Sequence, residues 1–388
     1  MIDIQHKEIC SGCHACFAVC PQKCITMIAD KEGFLYPQVD AQECIHCGKC
    51  KLVCPGLNIK EAGRAEKTVA YAAINEKEGI REKSSSGGVF YALACATVKK
   101  NGVVFGASFD KNGQVVHTFI DSEKDIGKLM GSKYTQSNID ETFLHAKAFL
   151  QAGREVLFVG TPCQIVGLKA FLGREYETLF CVDIVCHGVP SPKLWGKYLQ
   201  HQEKEYGEKA EKIFFRDKST GWRAYSVKIE FKNGKIYQKP HEDDAFMRLF
   251  LSDVCLRPSC HSCKYKGVSR TSDITLADCW GAERLLEEFD DDKGISLVLV
   301  HTSKGMNALD YALKECKRCE VDINKAVKEN PSIIRATMPH KDRTQFFAEL
   351  ETISFRKAMK KYAPYQWNMK ERLAFILKKT GIWKLIRK

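Results

Sequence analysis

From residue 68 onward, short apolar runs of strand length alternate with stretches whose apolar positions recur at helical spacing, and that alternation predicts an α/β body. The strand candidates are TVAYAAI (68–74), VVFGASF (103–109), EVLFVG (155–160) and TLFCVDIVC (178–186). Helical spacing marks residues 89–100, 141–151 and 164–172 between them. Residues 212–239 read as antiparallel, with Asn233-Gly234 supplying a hairpin turn. A helix over 241–253 then leads into LRPSCHSCKYK (256–266), followed by the strand candidates DITLADCW (273–280) and SLVLVHT (296–302). This body is read as two stretches, 68–190 and 191–340. Residues 1–57 keep neither period; they are dense in cysteine, end at Cys54-Pro55-Gly56, and pass into a polar linker over 58–67.

Composition sharpens the picture. Of 388 residues, 44% are hydrophobic and 28% charged, the balance of a folded globular chain. There are 19 cysteines, nine of them between Cys10 and Cys54, behind a start (MIDIQHKEIC) that lacks the apolar core of a signal peptide. A secreted, disulfide-bonded protein is therefore not expected, and in a reducing cytoplasm such thiols point to metal ligation. The longest uncharged runs, 84–98 and 156–168, fall short of the ~18 apolar residues of a spanning helix. Net charge is +12, but residues 356–388 supply +10 of it, so no general nucleic-acid-binding surface is indicated. That tail mixes lysine and arginine with Trp367, Phe375 and Trp383, which suits peripheral contact with an anionic membrane face or packing against the body or a partner.

The sharpest signal is a repeated run. Cys10-x2-Cys13-x2-Cys16-x3-Cys20-Pro21 recurs as Cys44-x2-Cys47-x2-Cys50-x3-Cys54-Pro55. Three closely spaced thiolates wrap one face of an iron–sulfur cube while the fourth serves the other cluster, so the expected sets are Cys10, Cys13, Cys16 and Cys54, and Cys44, Cys47, Cys50 and Cys20. Zinc sites favour two separated pairs instead. Residues 1–57 are thus expected to form an α+β, ferredoxin-like domain holding two 4Fe-4S clusters, with Cys24 as a buried filler. Farther on, Cys260-x2-Cys263 is a lone pair needing two more ligands. Cys163 in GTPCQ and Cys186 in VCHG end neighbouring strand candidates and would share one sheet edge. Cys255 and Cys279 are alternatives, whereas Cys316-x2-Cys319 reads as structural at a helix end.

Taken with SSSGGVF (84–90), GSKYTQS (131–137), GTPCQ, VCHGVPSP and SDITLADCWG, this arrangement resembles the family of coenzyme F420 hydrogenase/dehydrogenase beta subunits. The resemblance implies a third 4Fe-4S cluster on Cys163, Cys186, Cys260 and Cys263, and FAD bound in an α/β flavin-binding body with a mixed sheet. For FAD it points to Ser85, Ser86, Gly87 and Gly88, where a glycine-rich turn before a helix would let a pyrophosphate approach. From pattern alone the same turn is an N-cap, with Ser86 capping and the glycines packing. Lys133 and Tyr134 are further cofactor candidates, otherwise a surface loop. Thr161 and Gln164 would bond the flavin, or Thr161 would cap a helix. His187 is the catalytic candidate, as a proton relay. Arg216, Asp217 and Trp222 suit a substrate pocket or an exposed hairpin, and Asp290–Asp292 a solvated acidic loop. The expected function is a cytoplasmic iron–sulfur flavoprotein oxidoreductase that takes electrons from ferredoxin or a redox partner subunit. It would pass them to an unidentified small-molecule acceptor, with cell-surface polysaccharide metabolism as the family-level expectation. The alternative is an electron-transfer subunit without its own substrate.

Overall fold

The computed structural model describes residues 1–58, 68–286 and 289–364. The N-terminal unit has two short helices, Ala15–Val19 and Lys49–Leu52, beside an antiparallel hairpin of β1 (Ile25–Ala29) and β2 (Leu35–Val39). Its small core is built largely from cysteine: Cys16, Cys24, Cys50 and Cys54 pack with Ile2 and Ile25.

The body centres on an eight-stranded sheet. Its strands are β3 (Val69–Asn75), β4 (Val103–Phe109), β5 (Val115–Ile120), β6 (Val156–Gly160), β7 (Leu179–Ile184), β11 (Ile274–Asp278), β12 (Ser296–Val300) and β13 (Cys316–Glu320). They lie in the order β13-β3-β12-β11-β7-β6-β4-β5. Strands β4, β6, β7 and β11 run parallel, and the remaining pairs are antiparallel. Burial on both faces explains why the central strands read as nearly continuous apolar runs. Because β3 finds both its partners, β12 and β13, near the far end of the body, the boundary at residue 190 separates stretches of chain and not folding units. The antiparallel stretch forms a separate three-stranded sheet of β8 (Ala210–Asp217), β9 (Ser226–Phe231) and β10 (Ile236–Pro240), with Gly234 in the turn. It covers an aromatic core that includes Trp195, Phe215 and Phe246.

Several local expectations shift for identifiable reasons. The helix expected over 164–172 spans Pro162–Leu172, since Pro162 suits its first turn and Gln164 Oε1 accepts the Thr161 N–H at 2.8 Å. Another starts late, as Ala245–Leu251, because the Asp244 carboxylate caps it on the Met247 N–H. Cys316 and Cys319 lie on the edge strand β13 instead of at a helix end. Part of the basic tail is body: Phe355–Tyr362 is a helix whose Phe355, Ala358 and Tyr362 bury into the aromatic core. Residues 365–388, with Trp367, Phe375 and Trp383, and residues 59–67 of the expected linker lie outside the described residues. Among the described residues no helix is long and apolar enough to cross a membrane.

The N-terminal unit sits tightly on the body. Arg343 grips the Glu32 carboxylate with both terminal nitrogens, at 2.9 and 2.5 Å. On the helix Pro162–Leu172, a Cβ added to Gly167 would lie 2.7 Å from Cys13 Cβ and 2.9 Å from its sulfur. Gly167→Ala is therefore expected to destabilise the chain by about 1–3 kcal/mol in urea unfolding. Gly127→Ala, whose added Cβ meets nothing within 4 Å, should leave the midpoint nearly unchanged.

Candidate functional site

A cavity of about 430 Å³ opens at the C-terminal ends of β6, β7 and β11, the edge at which parallel sheets present helix N-termini and loops to ligands. Ser85, Ser86 and Gly88 line it, as do Lys133, Tyr134, Thr161, Gln164 and His187. Gly87 does not. A Cβ there would sit 2.2 Å from the Ala73 carbonyl and 2.6 Å from the Ser296 nitrogen, so this glycine lets the loop press against β3 and β12. The cap is also not Ser86, whose hydroxyl donates to the Ile295 carbonyl at 2.7 Å. Gly88 occupies the N-cap position at φ +88°, and no side chain caps the helix Val89–Lys99 where it meets the cavity. Ser85 Oγ accepts the Ser132 N–H at 2.7 Å, fastening this loop to the GSKYTQS loop.

The GSKYTQS loop forms a wall of the cavity. Lys133 donates to the Met130 carbonyl at 2.7 Å, and burial pushes its ammonium down to about 7. Tyr134 packs between Phe215 and Phe250. Deeper in, Gln164 Nε2 donates to Ser137 Oγ at 2.9 Å, Ser137 donates to His117 Nδ1 at 2.9 Å, and His117 Nε2 donates to the Val159 carbonyl. Burial pushes His117 down to about 4, so the imidazole is neutral at pH 7 and this chain of bonds is uncharged. His117 is a lining residue that sequence reasoning missed, because strand alternation made it another inward-facing position.

Arg216 overturns the reading as an exposed hairpin. It is buried at the cavity wall, paired with Asp278, and stacked near Tyr225 at 4.5 Å and Trp280 at 5.3 Å. Its Nε and Nη2 have no hydrogen-bond partner. Trp222 is buried against Trp280 and donates to Asp278 at 3.1 Å, while Asp217 faces the turn and accepts from Ser219. The acidic loop is likewise engaged: Asp291 clamps Arg81, and Asp290 and Asp292 hold Arg223.

Behind the cavity, Cys163, Cys186, Cys260 and Cys263 line one small pocket. Cys163 stands in the first turn of the helix after β6, Cys186 two residues beyond β7, and Cys260 in a short turn held by the Val189 N–H at 3.4 Å from its sulfur. Cys255 is buried in the aromatic core and Cys279 beside Cys319, so neither alternative reaches this pocket. Burial and the neighbouring thiols push Cys186 up to about 12 and Cys260 up to about 11. His187 faces both pocket and cavity, its Nε2 2.6 Å from Asp253 Oδ1. Cys10, Cys13, Cys16 and Cys54 line a second pocket inside the N-terminal unit, where burial pushes Cys13 up to about 12. Tyr265 lines the pocket of Cys163, Cys186, Cys260 and Cys263, and burial together with the thiols of both sets pushes its phenol up; sequence reasoning gave no signal for it. In the remaining run Cys20 lies 3.4 Å from Cys24, Cys50 is buried and Cys47 exposed, so Cys24 is a sulfur neighbour and not only filler. Among the described residues no three His, Cys, Asp or Glu side chains converge as a single-ion site requires. The thiols instead surround pockets, and buried thiols that resist ionisation on their own become thiolates when a metal supplies the opposing charge.

Gly87→Leu is expected to lower the thermal midpoint and soluble yield of the chain before any ligand is added, because the clash is with backbone atoms of two core strands. An unfolding transition equal to that of the parent chain would contradict this packing role.

Comparison with known proteins adds relatives to this geometry. Residues 153–325 match the family described as the C terminus of the coenzyme F420 hydrogenase/dehydrogenase beta subunit, and residues 9–56 match the 4Fe-4S dicluster domain. The chain is 24% identical over 282 residues to the F subunit of the F(420)H(2) dehydrogenase of Methanosarcina mazei, covering 68% of this chain and 74% of that relative. It is 40% identical over 65 residues to NADH-quinone oxidoreductase subunit I 2 of Geobacter metallireducens, covering 16% of this chain and 50% of that one. A chain in the structure of the F420-reducing [NiFe] hydrogenase complex from Methanosarcina barkeri is similar at TM-score 0.45 and 18% identity, over 76% of this chain and 91% of that chain.

Proposed function

Since the chain belongs to the family of coenzyme F420 hydrogenase/dehydrogenase beta subunits, with a 4Fe-4S dicluster domain ahead of the family region, we propose that it is an iron–sulfur flavoprotein subunit of an oxidoreductase. One observation carries the reading: the pocket of Cys163, Cys186, Cys260 and Cys263 shares the wall residues Thr161, Gln164, His187 and Val189 with the large cavity. Three thiol sets then lie in series, from the set with exposed Cys47, through Cys10, Cys13, Cys16 and Cys54, to the pocket behind the cavity. Bound there, 4Fe-4S clusters pass single electrons and FAD couples them to a two-electron reaction.

The cavity suits an anionic, aromatic cofactor. The uncapped N-terminus of Val89–Lys99, the Lys133 ammonium and the unpartnered nitrogens of Arg216 all contribute positive potential to it. Tyr134, Tyr225 and Trp280 supply flat apolar walls. Ser85 and Ser86 shape the loop through their own hydrogen bonds, while Thr161 and Gln164 hold the helix that carries Cys163. His187, oriented by Asp253, is placed to give or take the proton that a two-electron reduction requires. A ferredoxin or a redox partner subunit would deliver electrons at exposed Cys47, flanked by exposed Ile45 and Leu52. The cavity's lining does not select among acceptors, and a sugar-linked acceptor draws no support from it. The chain's work is proposed to take place in the cytoplasm.

The test is quantification on anaerobically purified full-length protein. About twelve irons and one flavin per chain are expected, falling to about eight irons in Cys260→Ser. Unchanged iron in Cys260→Ser would remove the third site from the account. A second outcome concerns pH. An anionic ligand beside Lys133 raises a folded-state value of about 7, so binding takes up a proton above that pH. FAD affinity of flavin-stripped protein should therefore fall as pH rises through about 7, and Lys133→Met should bind more weakly at pH 6 and lose this slope.

A further inference from the structure

Arg257 is completely buried, at 0% exposure, where the N-terminal unit meets the body. Its Nε donates to the Cys10 carbonyl at 2.8 Å, Nη1 to Gln136 Oε1 at 2.9 Å, and Nη2 to the Leu35 carbonyl at 2.9 Å. Nη2 also lies 3.5 Å from Cys10 Sγ. The guanidinium faces the rings of Tyr36 at 4.3 Å and Phe34 at 5.4 Å. None of these partners is a carboxylate. A buried cation bonded only to neutral groups is costly, because its lost hydration is not offset by an opposite charge. The same residue frames the third thiol set through its backbone, donating to the Val189 carbonyl at 3.0 Å and accepting the Cys260 N–H at 2.9 Å.

We propose that Arg257 is the counter-charge and sulfur hydrogen-bond donor for the cluster held by Cys10, Cys13, Cys16 and Cys54, a positioning residue that raises that cluster's reduction potential. The inference rests on the cluster reading above. A cubane with four thiolates is anionic and gains a further negative charge on reduction, so a buried guanidinium beside one of its sulfurs favours the reduced form. With clusters held by Cys20, Cys44, Cys47 and Cys50 and by Cys10, Cys13, Cys16 and Cys54, the step Arg257 would favour is the transfer of one electron from the first to the second, with no bond broken and no proton moved. With Arg257 Nη2 beside Cys10 Sγ, the inner set is a better electron acceptor than it would be with a neutral residue at position 257.

The experiment is an EPR-monitored redox titration of the full chain, with iron counted in every sample. Cys10→Ser identifies the transition of the inner cluster by removing it. Arg257→Met should shift that transition to more negative potential and leave the exposed cluster's transition where it was. Gln136→Glu keeps the guanidinium in place and sets a carboxylate against Nη1, so it should shift the same transition in the same direction even if Arg257→Met sheds iron. Full iron with an unmoved potential in Gln136→Glu would overturn the role of Arg257 alone. A Cys10→Ser protein that loses no transition would overturn the cluster assignment together with it.

Discussion

The contact between Gly167 and Cys13 leaves no room for a methyl group, and the order of the thiol sets depends on it. The helix bearing Gly167 carries Cys163 in its first turn, so a single rigid element touches the inner set of the N-terminal unit and supplies a thiol to the pocket behind the cavity. A larger residue at 167 would push the two sets apart. Arg343 on Glu32 and Arg257 on the Cys10 and Leu35 carbonyls hold the unit against this helix from other directions. Their hydrogen bonds specify one docked orientation, where apolar contact alone would tolerate several.

The cavity follows from the sheet. Parallel strands β6, β7 and β11 end at one edge, and each leads directly into chemically active side chains: Thr161 and Cys163, then Cys186 and His187, then Asp278 and Trp280. The loop of residues 84–88 is pressed onto that edge from β3, helped by Lys218, which donates to the Ser86 and Arg81 carbonyls. The cations at that edge are Lys133, which has no acid beside it among its hydrogen-bond partners, and Arg216, which is paired with Asp278. Burial lowers Lys133, and Arg216 keeps two nitrogens unpartnered despite Asp278.

What was legible in the sequence was local. The cysteine runs state their chemistry in spacings of two and three residues, and the 3.6-residue period marks the helices Val89–Lys99 and Thr142–Gln151 to within a residue. Cys163 and Cys186 could be brought together because neighbouring parallel strands end at one edge. What was not legible depended on distant partners. Gly87 looked like a ligand glycine, but its neighbours are Ala73 and Ser296. Arg216 looked solvent-exposed in a charged hairpin, until Asp278 and Trp280, more than sixty residues on, enclosed it. The acidic loop looked solvated because Arg81 lies far earlier in the chain. Arg257 lies within LRPSCHSCKYK and still gave no signal, because its side-chain partners Cys10 and Leu35 belong to the N-terminal unit.

The central claim is that three separate thiol sets lead from an exposed face to one cavity. Diffraction from anaerobically grown crystals, recorded on both sides of the iron absorption edge, tests it directly. The account predicts three iron-specific peaks, one at each set, with the peak among Cys163, Cys186, Cys260 and Cys263 nearest the cavity. Two peaks confined to the N-terminal unit, with that pocket holding zinc or no metal, would contradict it.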